Sequence, residues 1–258
     1  MEVRPMAELE GKETVLILVK ALPQVNQNST ETVCCAGVTL DGQWRRQYPV
    51  RFRQLGEKAF ARWQWINYSW RAPKSDSRIE SRRVQEDSIG VLDKMPRNER
   101  ATFLNRIEVP STSYAHEMGR SLALIRPLAS EFYWVKKTAE QISADKILYA
   151  KAAKQRSFLD EELKAFEPPP YVFHFKHEDA DGPHHHKCGD WETASMFLRF
   201  RREMRSESAA LQRMGEIFND EYPKAGMTFA LGTLFRYPTW ILVGVIRLDD
   251  EPQLGLPF

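Results

Sequence analysis

Apolar and polar positions along the chain change period repeatedly, and each change marks an element. Residues 14–20 are a β-branched run of strand length. Residues 32–40 have the same character after a polar loop that follows Pro23. Asp41-Gly42 is a tight-turn pair and residues 43–48 supply a strand on its far side, so 32–48 predicts a β-hairpin. Residues 52–63 are helix-prone, and 64–70 return to a strand pattern. The start of the chain therefore predicts a small, β-rich, barrel-like unit.

Farther on, 86–105 predicts charged helix, 121–125 and 131–135 predict strands, and 143–166 predicts one or two helices. Pro168, Pro169 and Pro170 end those helices, because proline cannot continue the hydrogen-bond ladder. Asp190 is placed to cap a helix running to about residue 205, with Met196, Phe197 and Phe200 on its apolar face. A second helix over 208–221 carries Leu211, Met214, Ile217 and Phe218 at helical spacing. Strands at 227–234 and 240–246 flank the turn-like Tyr237-Pro238, and 249–258 reads as a short tail. The expected fold class is α+β. A β-rich, barrel-like N-terminal part (1–85) is followed by a helical or mixed insertion (86–168) and a C-terminal α+β part with a histidine-rich loop (169–258).

Composition narrows the class. A chain of 258 residues with 42% hydrophobic and 28% charged residues fits a soluble globular protein of one large or two small domains. The longest apolar runs are too short to span a bilayer, the N-terminus lacks a signal-peptide pattern, and three cysteines (two adjacent, Cys34 and Cys35) make no disulfide framework. The expected location is cytoplasmic, with no membrane partner. No phosphate-binding loop, dinucleotide glycine fingerprint, nucleophile elbow or His-Glu-x-x-His pair is present, which argues against the common NTPases, dehydrogenases, serine hydrolases and metalloproteases.

Five of the six histidines lie between His174 and His186, beside Asp179, Asp181, Cys188, Asp190 and Glu192. Imidazole, thiol and carboxylate are the donor set of a transition metal such as zinc. If 171–177 is a strand, His177 faces away from His174 and can join His184, His186 and Cys188 across the Gly182-Pro183 turn, with Asp179 or Asp181 as a further ligand. A closed set would be structural; an open one would hold water, with Glu192 as a base. The other reading makes His184-His185-His186 an exposed loop tip. Asp190 and Glu192 are likewise either acid–base candidates or a helix cap and a first-turn acid.

Net charge is only +2, but eleven Lys or Arg against three acidic residues fall between Trp44 and Arg83, interleaved with tryptophans, tyrosines and phenylalanines. Cations that follow phosphates and aromatic faces that stack on bases suit single-stranded DNA or RNA. Trp44, Arg45, Arg46, Arg51, Arg53, Trp65, Arg71 and Arg78 are the candidate contacts. The alternative is that these tryptophans are core and the arginines a solvated rim. The basic run from Arg199 to Arg205 could extend the surface.

Thr32-Val33-Cys34-Cys35-Ala36-Gly37-Val38 and Asp41-Gly42-Gln43-Trp44-Arg45-Arg46-Gln47-Tyr48-Pro49 resemble an uncharacterised bacterial family, one similar to proteins with dual oligonucleotide-binding-fold (OB) domains. Pro170-Tyr171-x-Phe173-x-Phe175, Asp190-Trp191-Glu192 and Pro238-x-Trp240-Ile241-x-Val243-Gly244 resemble the second half of the same family. The resemblance implies an OB-like region and, because such genes often sit in mobile or defence loci, a nucleic-acid partner. Three functions are expected to compete. The first is a nucleic-acid-binding accessory protein of a bacterial defence or mobile-element system. The second is a metal-dependent nuclease using His184, Asp190 and Glu192. The third is a protein-interaction subunit of a larger complex.

Overall fold

The computed structural model describes residues 9–26, 30–154, 165–234, 237 and 239–249. The chain divides into two units, residues 1–95 with 148–166, and residues 96–147 with 167–258. The class is α+β.

In the first unit β1 (Glu10–Lys20) is long enough to serve two neighbours. Its first half pairs with β5 (Gln64–Arg71), from Glu10 opposite Arg71 to Leu16 opposite Trp65. Its second half pairs with β3 (Glu31–Val38), from Leu16 opposite Val38 to Lys20 opposite Cys35, with a register shift between Ile17 and Val19 that bends the strand from one partner to the next. Gly37 faces this bend. A Cβ there would stand 2.2 Å from the Leu16 carbonyl oxygen, so only glycine lets the strands come this close. β3 pairs with β4 (Trp44–Val50), β4 runs parallel to β6 (Ser81–Val84), and β6 returns antiparallel to β5. The ring β1-β3-β4-β6-β5 thus closes on β1 as a five-stranded barrel, while β2 (Gln24–Val25) adds to β3 and β7 (Gly90–Lys94) to β5. Numbered in chain order, the ring strands run 1-2-3-5-4-1 with the third and fifth parallel, the Greek-key connectivity of an OB barrel. Ile66, Tyr68 and Trp70 alternate into its core against the buried run Val15–Val19, each large side chain contributing about 1.5–3 kcal/mol by burial.

The second unit opens with α1 (Arg97–Asn105) and α2 (Thr112–Glu117). β8 (Leu122–Ile125) and β9 (Ala129–Lys136) follow one another as two halves of a bent first strand. β9 pairs with β10 (Tyr171–Asp179), and β10 with β11 (Gly182–Lys187). β8 pairs with β12 (Met227–Thr233), and β12 with β13 (Trp240–Arg247). A parallel bridge from Cys188 to Leu242, with the Gly189 N–H donating to the Leu242 carbonyl at 2.8 Å, joins the end of the third strand to the fifth. The order is again 1-2-3-5-4-1. α3 (Ala139–Lys154) is inserted after the first strand, and α4 (Trp191–Met204) and α5 (Glu207–Glu216) lie between the third and fourth. The core is aromatic: the Phe132, Phe175, Phe218 and Phe229 rings sit 4.9 to 5.4 Å from their neighbours in the group.

Three sequence expectations are corrected. Residues 52–63 form no helix but two short 3₁₀ turns, Phe52–Gln54 and Gly56–Lys58, because Gly56 takes φ +55° and Phe52 packs edge-on against Phe60 at 4.9 Å. Helix does not fill 86–105: residues 90–94 are drawn onto the open edge of β5, and α1 starts only after Pro96. Residues 184–186 lie on strand β11 and not at a loop tip. Parts of the helix expected over 143–166 and of the tail at 249–258 fall at 155–164 and 250–258, outside the described residues.

Candidate functional site

The β10–β11 hairpin forms the second and third strands of the second barrel, and strand alternation sorts its histidines onto two faces. Gly182 makes the turn at φ +107°, a conformation a side chain rarely adopts. Register then sets His174 opposite Lys187, Lys176 opposite His185, and His177 opposite His184, while Tyr133 on β9 lies opposite His174.

On the outer face the Tyr133 ring stacks on His174 at 5.0 Å and on His185 at 5.7 Å, and its hydroxyl shares a 2.5 Å hydrogen bond with His185 Nε2. Lys176 Nζ lies 5.4 Å from the centre of the Tyr133 ring and 3.0 Å from Glu131. Lys187 is exposed in the row of His174 and Tyr133. Partial burial, then the charges of His185 and Lys187, push the His174 pKa down, so its ring is neutral at pH 7. The result is an aromatic platform edged by Lys176, paired with Glu131, and by Lys187.

On the inner face His177 stacks against His184 at 5.1 Å and His186 at 5.2 Å, and those two rings lie 6.0 Å apart, so the three form a triangle. His177 is 4% exposed and neither ring nitrogen has a hydrogen-bond partner. Burial, then repulsion from His186 and His184, pushes its pKa down to about 4. Burial lowers His186 as well, and its Nε2 has no partner. Asp179, also buried, accepts from the Asp181 N–H at 2.8 Å and lies 2.8 Å from His184 Nε2 through the same Oδ1, leaving Oδ2 without a partner. Asp181 Oδ2 accepts from the Ser113 N–H at 3.1 Å, and the Ser113 hydroxyl first, then the Ser111 hydroxyl and this N–H, hold its pKa low. Donor atoms of Asp179, Asp181 and His184 lie within 4.8 Å of one another.

Cys188 continues the inner alternation but packs into the apolar core beside Phe173 and Leu242. Asp190 caps α4. It accepts from the Glu192 N–H at 3.2 Å and the Thr193 hydroxyl at 3.1 Å, and from the Val245 N–H at 3.3 Å, which ties the helix start to β13. Glu192 sits in the first turn of that helix. Among the described residues the carboxylates that converge with His184 are therefore Asp179 and Asp181.

The arginines of the first barrel are placed differently. Arg45 pairs with Glu13 at 2.7 Å, Arg53 with Glu31 at 3.1 Å, Arg78 with Asp76 at 2.7 Å and Arg71 with Glu10 at 3.6 Å, while Arg51 pairs with Glu86. Arg46 is 4% exposed, its pKa lowered by burial, and it reaches Ser81. Beside it the burial of Cys34 raises that thiol's pKa and keeps it protonated. Trp44 is buried in the barrel and Trp65 half-buried. Glu13 is a hub that also accepts from Arg82 at 3.2 Å and from the Tyr68 hydroxyl at 3.3 Å, and Tyr68 in turn accepts from Gln47 at 2.9 Å. In the second basic run, Arg201 pairs with Glu167 at 2.6 Å.

Sequence reasoning missed Tyr133, Lys176 and Lys187. Phe132-Tyr133-Trp134 is aromatic throughout, so no period-two signal separates the outward ring from its inward neighbours.

Among solved structures the chain is similar to the tetrameric p202 HIN2 (11% identity, 91% of this chain and 87% of that one, TM-score 0.31). It is also similar to a structure reported as "Molecular basis for abrogation of activation of pro-inflammatory cytokines" (15%, 73% and 83%, TM-score 0.32). A third is a replication protein A heterotrimer bound to ssDNA (10%, 93% and 66%, TM-score 0.25). Comparison with curated proteins returns no match. Two family models meet at residue 107: Domain of unknown function (DUF8758) matches residues 11–107 and Domain of unknown function (DUF8757) matches 107–256. The second model spans more than half of the sequence, and the chain belongs to that family, DUF8757.

Proposed function

We propose that this protein binds single-stranded nucleic acid on the outer β9–β10–β11 face of its second barrel. The observation that carries the reading is the outer-face stack of half-buried Tyr133 and His174 with exposed His185, edged by Lys176 and Lys187, on the first three strands of an OB-type ring. OB barrels take oligonucleotides on strands two and three, and aromatic rings there hold bases by stacking, which every base can supply. Glu131 and Glu178 share the face with the two lysines, so ring faces contribute more than charge. Binding should therefore show a shallow salt dependence, with a log–log slope of roughly −1.

The test is fluorescence anisotropy of labelled single-stranded and duplex oligonucleotides, DNA and RNA, across a salt series. Single strands should bind in preference to duplex. Tyr133→Ala with His185→Ala should weaken binding by about 1–3 kcal/mol per lost stack. No binding at low salt, or unchanged affinity in the double variant, would reject the reading.

A further inference from the structure

The inner face of the same hairpin holds a group of side chains that the stacking platform does not use. Buried polar atoms in native proteins nearly always find a partner, so each orphan calls for an explanation. Among the described residues, four such atoms lie together here: both ring nitrogens of His177, Nε2 of His186 and Oδ2 of Asp179, on adjacent inner-face positions of β10 and β11. Asp179 adds a carboxylate whose side chain is fully buried, and donor atoms of Asp179, Asp181 and His184 already lie within 4.8 Å of one another. A buried carboxylate oxygen and buried imidazole nitrogens are costly to leave unpartnered.

We propose that this cluster is a binding site for a borderline divalent transition metal of the zinc class. Asp179, Asp181 and His184 supply the converging donors, and His177, stacked on His184 with both nitrogens unpartnered, supplies the fourth. The mixed nitrogen and oxygen set favours zinc-like ions over magnesium or calcium, which prefer oxygen alone. The half-exposed His184 and exposed Asp181 give the ion its route in from solvent, while Asp179 and His177 close the inner side. Ser113 holds Asp181 through its N–H, an outer-shell contact that orients the carboxylate. The ion would pin the turn end of the two strands whose opposite face carries His174 and His185, beside Tyr133 of β9.

The test uses the full chain without an affinity tag, stripped of metal by a chelator and then titrated with Co²⁺, whose visible absorbance reports a nitrogen- and oxygen-ligated site. A single Co²⁺ per chain should bind, be displaced by stoichiometric Zn²⁺, and resist a large excess of Mg²⁺ or Ca²⁺. His184→Ala and Asp181→Asn change side chains open to solvent and should leave the fold intact. Each should weaken Co²⁺ by more than the roughly 10–100-fold typical of losing an outer-shell partner. The outer-face variant His174→Ala with His185→Ala should bind Co²⁺ like the parent. Absence of saturable Co²⁺ binding, displacement by Mg²⁺ or Ca²⁺, or loss in the outer-face variant with retention in His184→Ala would each overturn the assignment.

Discussion

The two barrels share one strand order and use their polar residues in opposite ways. In the first, arginines and carboxylates are spent on each other: Arg45 and Arg82 converge on Glu13, and Arg78 closes on Asp76. In the second, the second and third strands carry a partly exposed stack of rings outside and a cluster of stacked histidines beside Asp179 inside. Charge density along a sequence does not by itself show which cations are already paired within the fold.

The largest effect that would break this contrast lies in the first barrel. Arg46→Ala removes a buried cation beside the buried Glu80 and should destabilise the protein by about 3–5 kcal/mol in denaturant unfolding. A loss below about 1 kcal/mol would mean that the arginine is not structural. Next comes the platform itself: a single Tyr133→Ala change should cost about 1–3 kcal/mol of single-strand affinity while stability falls little. Asp190→Ala should then lower stability by about 1–2 kcal/mol through loss of the α4 cap and leave affinity unchanged, which separates the cap from the platform. The smallest effect sharpens the comparison most. Lys187→Gln should reduce the magnitude of the salt slope by about 0.7, and Arg53→Gln, whose charge is engaged by Glu31, should leave it unaltered.

Much of the fold was legible in the sequence, because period-two runs such as residues 14–20 and 64–70 and the Asp41-Gly42 turn specify strands and a hairpin locally. The cap at Asp190 was legible for the same reason. The second ring was not, since its closure depends on a bridge between Cys188 and Leu242, far apart in the chain. The histidines could be recognised as a group and His177 set apart from His174 by alternation, but their division into two faces also required β11 to be a strand. Gly182-Pro183 and three consecutive histidines look like a loop until β10 supplies the edge. The ion pairs of Arg45, Arg53 and Arg71 were not legible, because their anions, Glu13, Glu31 and Glu10, lie outside the basic window from Trp44 to Arg83.

The closure of the second ring has a dynamic consequence. Among the described residues its other strand pairs are ladders of four or more residues, yet the third and fifth strands share one backbone bridge, the Gly189 amide and a bond from the His186 ring to the Trp240 backbone. Breathing of a native protein begins where the fewest backbone bonds must break at once. This seam should therefore be the first part of the ring to exchange its amide protons, so the hairpin opens along one side like a page while the β12–β13 spine stays closed.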